Sequence, residues 1–372
     1  MAATHTGPEA KHNAYEQPSH KAIDKGNPAR FAPRWLVLDD TNIDLITFTA
    51  SVAAVCSAFL FPSFIKLSVL VPAALILPLR LFFPRPKTPE GLVLITGASS
   101  GIGAELSYIF AKKGHDLILV GRNEEQLEAV RRNVEEKYGR SSHTISTDLS
   151  LPGAAKQLYD QVIEKGYQVN VLVNGAGLGG AGDTFSQSIE LVERMTILNC
   201  VSPVQLTQLF GKEMIERGYG WMLQITSVGG FMASPGQNVY HATKHYLRAF
   251  SEALSLELRA YPGIVNTQLL PGPTHTQFIT RAHAEETFMM AASGAVEDSK
   301  AVALAGYNGL CKGKRMVFSS WNSAFTSLAM QLAPRSVQLT IASITNAPLR
   351  GWARTKEPEK DQNARRTQEP DR

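Results

Sequence analysis

Leu92-Val-Leu-Ile-Thr-Gly-Ala-Ser-Ser-Gly-Ile-Gly103 opens on a short apolar run, passes three glycines and enters an amphipathic stretch. A run of this length bounded by glycine reads as a buried strand, and the residues that follow read as a helix. Gly97, Gly101 and Gly103 let the backbone turn tightly and approach a pyrophosphate. The helix start offers unpaired N–H groups at the positive end of its dipole. Ser99, Ser100 and Ile102 belong to the same loop, and the two serines can add neutral hydrogen bonds. Glycines alone would be weak evidence, but the strand before and the helix after supply the context that a dinucleotide loop requires.

Downstream, apolar runs at Leu92–Ile95, Leu117–Val120, Val169–Val173, Met222–Ile225 and Val265–Leu270 predict parallel strands buried on both faces. Amphipathic stretches at Glu124–Lys137, Ile189–Arg217 and Val239–Ala260 predict helices between them. The alternation implies an α/β fold, a Rossmann-type doubly wound parallel sheet with helices on both faces. No internal repeat is visible.

The chain of 372 residues suits one domain of this kind plus extensions. A hydrophobic share of 44% is enough for a sizeable core. Residues 1–33 and 353–372 are polar and lack apolar periodicity, and both predict disordered tails. Between the first tail and the sheet, Leu45–Ile65 carries no charge, and a second apolar run follows Lys66 from Leu67 to Leu79. A helix of about 20 apolar residues spans a bilayer. The 42–83 segment therefore predicts a membrane anchor of one or two apolar helices, with a helix pair packed on the main domain as the alternative. Asp39, Asp40 and Asp44 precede it, and Lys66, Arg80, Arg85 and Lys87 follow its first run. Cations near a span favour the cytoplasmic side, so the domain from Gly91 onward is expected to face the cytosol, at the endoplasmic reticulum.

The net charge of +4 is modest, and without a long basic run or basic–aromatic stripe the chain does not read as nucleic-acid-binding. Cys56, Cys200 and Cys311 are too far apart to predict a disulfide framework or a metal site.

Tyr240-His-Ala-Thr-Lys244 sets a phenol and an ammonium four apart on one helix face. A nearby ammonium favours the phenolate and makes the hydroxyl a better acid–base. Ser227 stands thirteen positions before Tyr240, at a strand end, where its hydroxyl can hold a substrate oxygen. An NAD site usually places an acid at the end of the second strand; here Leu117-Ile-Leu-Val-Gly-Arg-Asn123 places Arg122, whose guanidinium suits a 2′-phosphate. His241, His245 and His275 read as ordinary helix and loop residues.

With its G-x-x-x-G-x-G loop, Y-x-x-x-K pair and upstream serine, the sequence resembles the short-chain dehydrogenase/reductase family from about Gly91 to Arg350. The resemblance implies an NADP(H)-dependent oxidoreductase that moves a hydride between nicotinamide and carbon, with Tyr240 handling the proton. It implies that Lys244 also bonds the nicotinamide ribose and that Asp148 bonds the adenine. It matches Asn174-Gly-Ala-Gly177 to the family's segment after the fourth strand, with Gly175 in place of a second asparagine; Asn174, counted with the cofactor-binding residues, can brace the sheet interior while the small residues let the cofactor pass. Asn199 would support a water-linked proton relay to Lys244, and Thr276, closing Pro271-Gly-Pro-Thr-His-Thr276, would meet the carboxamide.

Phe278, Phe288, Met289 and Met290 follow Thr276 and could line an apolar substrate pocket. Gly313–Phe318 through Pro334-Arg335 is similar to the tail of membrane-attached reductases acting on fatty acyl or steroid ketones. The leading expectation is reduction of such an apolar ketone in lipid metabolism. A ketoreductase of a specialised polyketide or terpenoid pathway, and a non-catalytic cofactor-binding scaffold, are the alternatives. A homo-oligomer is compatible with the sequence.

Overall fold

A computed structural model describes residues 89–276 and 296–345. The tails, the 42–83 segment and Phe278, Phe288, Met289 and Met290 lie outside the described residues. Among the described residues no helix is long and apolar enough to cross a membrane.

The decisive stretch folds as strand, turn and helix: β1 (Leu92–Thr96) feeds α1 (Gly101–Lys112). The chain continues through β2 (Leu117–Gly121), α2 (Glu124–Tyr138), β3 (Ser142–Ser146), α3 (Ala154–Glu164) and β4 (Val169–Asn174). Then come α4 (Ile189–Thr196), a π turn (Ile197–Val201), α5 (Ser202–Arg217) and β5 (Gly220–Ile225). The last elements are α6 (Asn238–Glu257), β6 (Ile264–Leu270), α7 (Ser299–Cys311), β7 (Met316–Phe318), α8 (Trp321–Leu332) and α9 (Arg335–Thr345). The seven strands form one parallel sheet in the order β3-β2-β1-β4-β5-β6-β7.

Strand alternation divides the core between the two faces. Val93 and Ile95 point into a layer with Leu106 and Phe110 of α1, Leu127 of α2 and Tyr307 of α7. Leu94 points the other way, into a layer with Leu158 of α3 and Phe210 and Met214 of α5. Burying a side chain such as Phe110, which is fully enclosed, stabilises the fold by about 1.5–3 kcal/mol.

Three features depart from the sequence reading. β3 has no apolar run because it is an edge strand, with only Ser142 and Ile145 buried. β7, at the other edge, has only three residues. The stretch Ile189–Arg217, expected as one helix, is broken by the π turn, in which the Ser202 N–H donates to the Ile197 carbonyl. Pro203 supplies a physical reason: it has no N–H for the carbonyl of Asn199 four residues back, and its ring crowds that carbonyl.

Candidate active site

In a doubly wound sheet, ligands bind beyond the carboxyl ends of the strands where the strand order reverses, here between β1 and β4. Gly97 follows β1, Arg122 follows β2, Asp148 follows β3, Gly175–Gly177 follow β4, Ser227 follows β5 and Thr276 follows β6. Every residue singled out beyond the helices therefore lies at one edge of the sheet.

The glycine loop is as tight as its spacing suggests. A Cβ on Gly103 would lie 2.2 Å from the Gly97 carbonyl oxygen, and Gly97 itself has φ +72°. A Cβ on Gly101 would lie 2.9 Å from Cγ2 of Thr276, so Thr276 closes over the loop. Ser100 precedes α1 without capping it by its side chain, which leaves the first helix N–H groups to serve an anion. Half-buried Ile102 packs on the core and holds the loop down. Ser99 Oγ lies 3.3 Å from where a Gly121 Cβ would stand, beside the end of β2. These residues fit the pyrophosphate of a dinucleotide.

Arg122 is partly exposed, with Nη1 3.6 Å from Asp148 Oδ2. Asp148 also accepts from Arg194 Nη2 at 2.9 Å, and from the Ser150 N–H and hydroxyl at 3.0 and 2.6 Å. Burial alone would raise the Asp148 pKa, but the Ser150 bonds and the two guanidinium charges together hold it below the usual carboxylate value. Arg194 escaped the sequence reading; it sits 46 positions from its partner with no motif to mark it.

Asn174 is buried inside the sheet, where Nδ2 lies 2.9 Å from Gln224 Oε1, 3.0 Å from Thr207 Oγ1 and 3.2 Å from the Pro203 carbonyl oxygen, and shares its two hydrogens among them. It braces β4 against β5 and α5. The glycine at 175 also has a cause: a Cβ there would lie 2.7 Å from the Thr96 carbonyl oxygen. Thr96, also missed, accepts the N–H groups of Gly175 and Ala176 on its hydroxyl at 3.0 and 3.2 Å.

The four candidate catalytic residues converge. Ser227 stands beside Tyr240, close enough for its hydroxyl to lower the Tyr240 pKa against the effect of burial. Ser227 Oγ also accepts the Gly229 N–H at 3.0 Å, which fixes its rotamer. Lys244 is buried one turn along α6, with Nζ 5.8 Å from the Tyr240 ring centroid and donating to the Ile225 carbonyl at 3.1 Å. Asn199, in the π turn, accepts the Leu178 N–H at 2.9 Å and donates to the Leu178 carbonyl at 2.8 Å and to Thr243 Oγ1 at 3.0 Å. Its side chain thus ties the loop after β4 to α6, and both amide hydrogens are engaged. A Cβ on Gly177 would lie 3.6 Å from Asn199 Oδ1 and 3.8 Å from Lys244 Nζ, which marks the space these groups border.

The electrostatics differ in one respect from the expectation that the ammonium draws Tyr240 toward the phenolate. Burial pushes the phenol up to about 12, opposed by the Ser227 hydroxyl. Burial lowers Lys244 to about 8, opposed by the Cys200 thiol nearby. His241, beside Tyr240, bonds the Met232 carbonyl through Nδ1 at 2.9 Å, and burial lowers its pKa to about 4. Arg248, two turns along α6, donates to the Gly230 carbonyl at 2.8 Å and lies over the Phe231 ring. The turn after Ser227 is thus fastened to the catalytic helix at two points.

Residues 91–287 match the family model described as short chain dehydrogenase. The chain belongs to the short-chain dehydrogenase family. Among curated proteins, this short-chain dehydrogenase is 32% identical to human (Homo sapiens) dehydrogenase/reductase SDR family member 7 over 206 residues, which is 55% of this chain and 61% of that protein. It is 31% identical to family member 7B of Danio rerio, over 53% of this chain and 65% of that one. The match therefore spans less than two thirds of these relatives. Among solved structures, a short-chain dehydrogenase from Sphingobium yanoikuyae in complex with NADPH is 28% identical with a TM-score of 0.58, covering 64% of this chain and 92% of that one. A bulky-bulky ketone specific alcohol dehydrogenase from Comamonas testosteroni is 25% identical with a TM-score of 0.55, covering 67% and 97%.

Proposed function

We propose that this short-chain dehydrogenase is an NADPH-dependent reductase that converts an apolar ketone to a secondary alcohol. The observation that carries the reading is the convergence of Ser227, Tyr240 and buried Lys244, whose Nζ lies 5.8 Å from the Tyr240 ring centroid, at the strand ends where a dinucleotide would lie. When bound, the nicotinamide supplies the hydride. Ser227 holds the carbonyl oxygen, and the Tyr240 hydroxyl donates the proton to it. Lys244, with its pKa lowered to about 8, can give up and regain a proton near neutrality, which suits it to resupply Tyr240. Asn199 keeps α6 and the loop after β4 in register through Thr243 and Leu178.

NADPH over NADH is supported by Arg122 at the end of β2, beside Ser99 and with no acid in that strand end. In this reading Arg122 receives the 2′-phosphate, Gly97 to Gly103 cradle the pyrophosphate, Asp148 borders the adenine and Thr276 the carboxamide. An apolar ketone of the 3-oxoacyl or steroid type is supported by the names of the ketone-specific structural relative and by the apolar residues after Thr276. The 42–83 segment would tether the enzyme to the membrane in which such a substrate dissolves. The test is NADPH oxidation by the full chain across a ketone panel, wild type against Tyr240→Phe. The variant should bind NADPH normally and lose most turnover, by at least about a hundredfold if the general acid is gone. Near-normal rate constants would remove Tyr240 from the role, and no turnover of any ketone by the wild type would favour a cofactor-binding scaffold.

A further inference from the structure

Helix α8 is amphipathic in the inverse sense to a helix facing water. The side packed on the protein carries two small hydroxyls, Ser323 at 5% and Ser327 at 0% exposure, followed by Met330 at 4%. The side turned outward carries Phe325 at 71%, Leu328 at 56% and Leu332 at 77%, with Trp321 at 80% at its head. The spacing of four, three and four residues makes one stripe along the helix.

The fold forces this orientation. Ser320 caps α8 by accepting the Ser323 N–H at 3.1 Å, and the Ser320 and Ser323 hydroxyls both donate to Glu297 Oε1. Glu297 is bound through its backbone to Pro273 and His275, in the loop after β6. A Cβ on Gly272 would lie 2.5 Å from Ser323 Oγ, so at Ser323 the first turn of α8 lies too close to the loop after β6 for a phenylalanine or leucine. Rolling the helix to hide the stripe would break the Glu297 bonds and collide with Gly272.

We propose that the α8–α9 face lies on the surface of a lipid bilayer, with the stripe at the boundary between head groups and acyl chains. Exposed apolar side chains in one contiguous row mark an interaction surface. The charges nearby suit lipid: between Lys312 and Thr345 the chain carries Lys312, Lys314, Arg315 and Arg335 and no Asp or Glu. Cations of this kind favour anionic head groups, and an apolar face without acids is the pattern of an interfacial helix. α9 carries a second exposed apolar row at Val337, Ile341 and Ile344. Five residues, 84–88, separate the end of the proposed tether from Pro89. Fully extended they reach at most about 18 Å, so a tethered domain stays against the bilayer. α8 also packs on the turn Val228–Phe231 that follows Ser227, and the exposed stripe is turned away from that contact. The surface rests in part on the proposed tether, and the experiment separates the two.

The full chain with Trp35→Phe and Trp352→Phe retains two indoles, buried Trp221 and exposed Trp321. It is reconstituted in phosphatidylcholine–phosphatidylserine liposomes, with and without brominated acyl chains. Trp321 emission should shift to the blue and be quenched by the brominated lipid, and a further Trp321→Phe change should abolish the quenchable component. Phe325→Asp with Leu328→Asp should also abolish it. NADPH oxidation in detergent and resistance to carbonate extraction should then stay as in the parent, because the stripe lies outside the active site and the tether is intact. Water-like, unquenched Trp321 emission in the liposomes would overturn the proposal. So would a blue shift that depends on protein concentration in detergent without lipid, because a second copy would then be the occupant. Carbonate extraction of a parent whose Trp321 is still quenched would refute the tether and support the surface.

Discussion

Replacing His241 by glutamine should flatten part of the acid sensitivity of this fold. His241 is buried on α6, with its ring against Gly229 and Nδ1 2.9 Å from the Met232 carbonyl oxygen. Burial lowers its pKa from 6.5 to about 4, aided by the charge of His245 and opposed by the carbonyls of Met232 and Gly229. The unfolded chain regains an ordinary imidazole. Between pH 6.5 and about 4 the unfolded state therefore binds a proton that the folded state refuses, and falling pH favours unfolding. The stability tied to neutral His241 is complete above the unfolded value and is lost as the pH drops toward the folded one. A gap of that width corresponds to about 3 kcal/mol. Glutamine cannot titrate and keeps an amide hydrogen for the Met232 carbonyl. Urea unfolding near pH 7 and near pH 4, followed through buried Trp221, gives the two stabilities of each protein. Wild type should lose about 3 kcal/mol more than His241→Gln between the two conditions. Parallel losses would refute the reasoning and show that the ring takes up its proton in the folded state.

Arg122→Ala should weaken NADPH binding far more than NADH binding in a fluorescence titration, because only NADPH offers a 2′-phosphate to the guanidinium; equal losses would sink the assignment. In sealed microsomes, protease should digest the catalytic domain without detergent if the cations after the first apolar run of the 42–83 segment hold it on the cytosolic side. Full protection until detergent is added would reverse the topology.

The parts of this molecule that were legible in the sequence are those whose physics is local. Gly97, Gly101 and Gly103 must fall within one turn to bring the backbone together, and Tyr240 and Lys244 must fall one helical turn apart, so short spacings reported both once the strands and helices around them and the family resemblance joined them. Ser227 could be placed because a strand end fixes it. Arg194, Thr96 and Thr243 were not legible because each acquires its role from a partner far away in the chain, Asp148, Gly175 and Asn199. Gln224 was hidden differently: it sits inside the run Met222–Ile225, read as a buried strand, and it is fully buried there, linking Asn174, Thr207 and Asn266.

Periodicity has a related blind spot at α8. A row of large apolar residues opposite a row of serines says that the two sides of a helix differ, and the usual inference sends the apolar side inward. That inference assumes that the far side meets water and that the near side has room. At the first turn of α8 the second assumption fails, because Gly272 and Glu297 reach Ser323 only through the fold and leave no space there for a larger side chain. The sequence pattern is unchanged whichever way the helix is turned, so the medium each side meets is decided by contacts 26 residues or more away. For Phe325, Leu328 and Leu332 those contacts select the outside, which is why the proposed bilayer surface is tested at the first two of these residues.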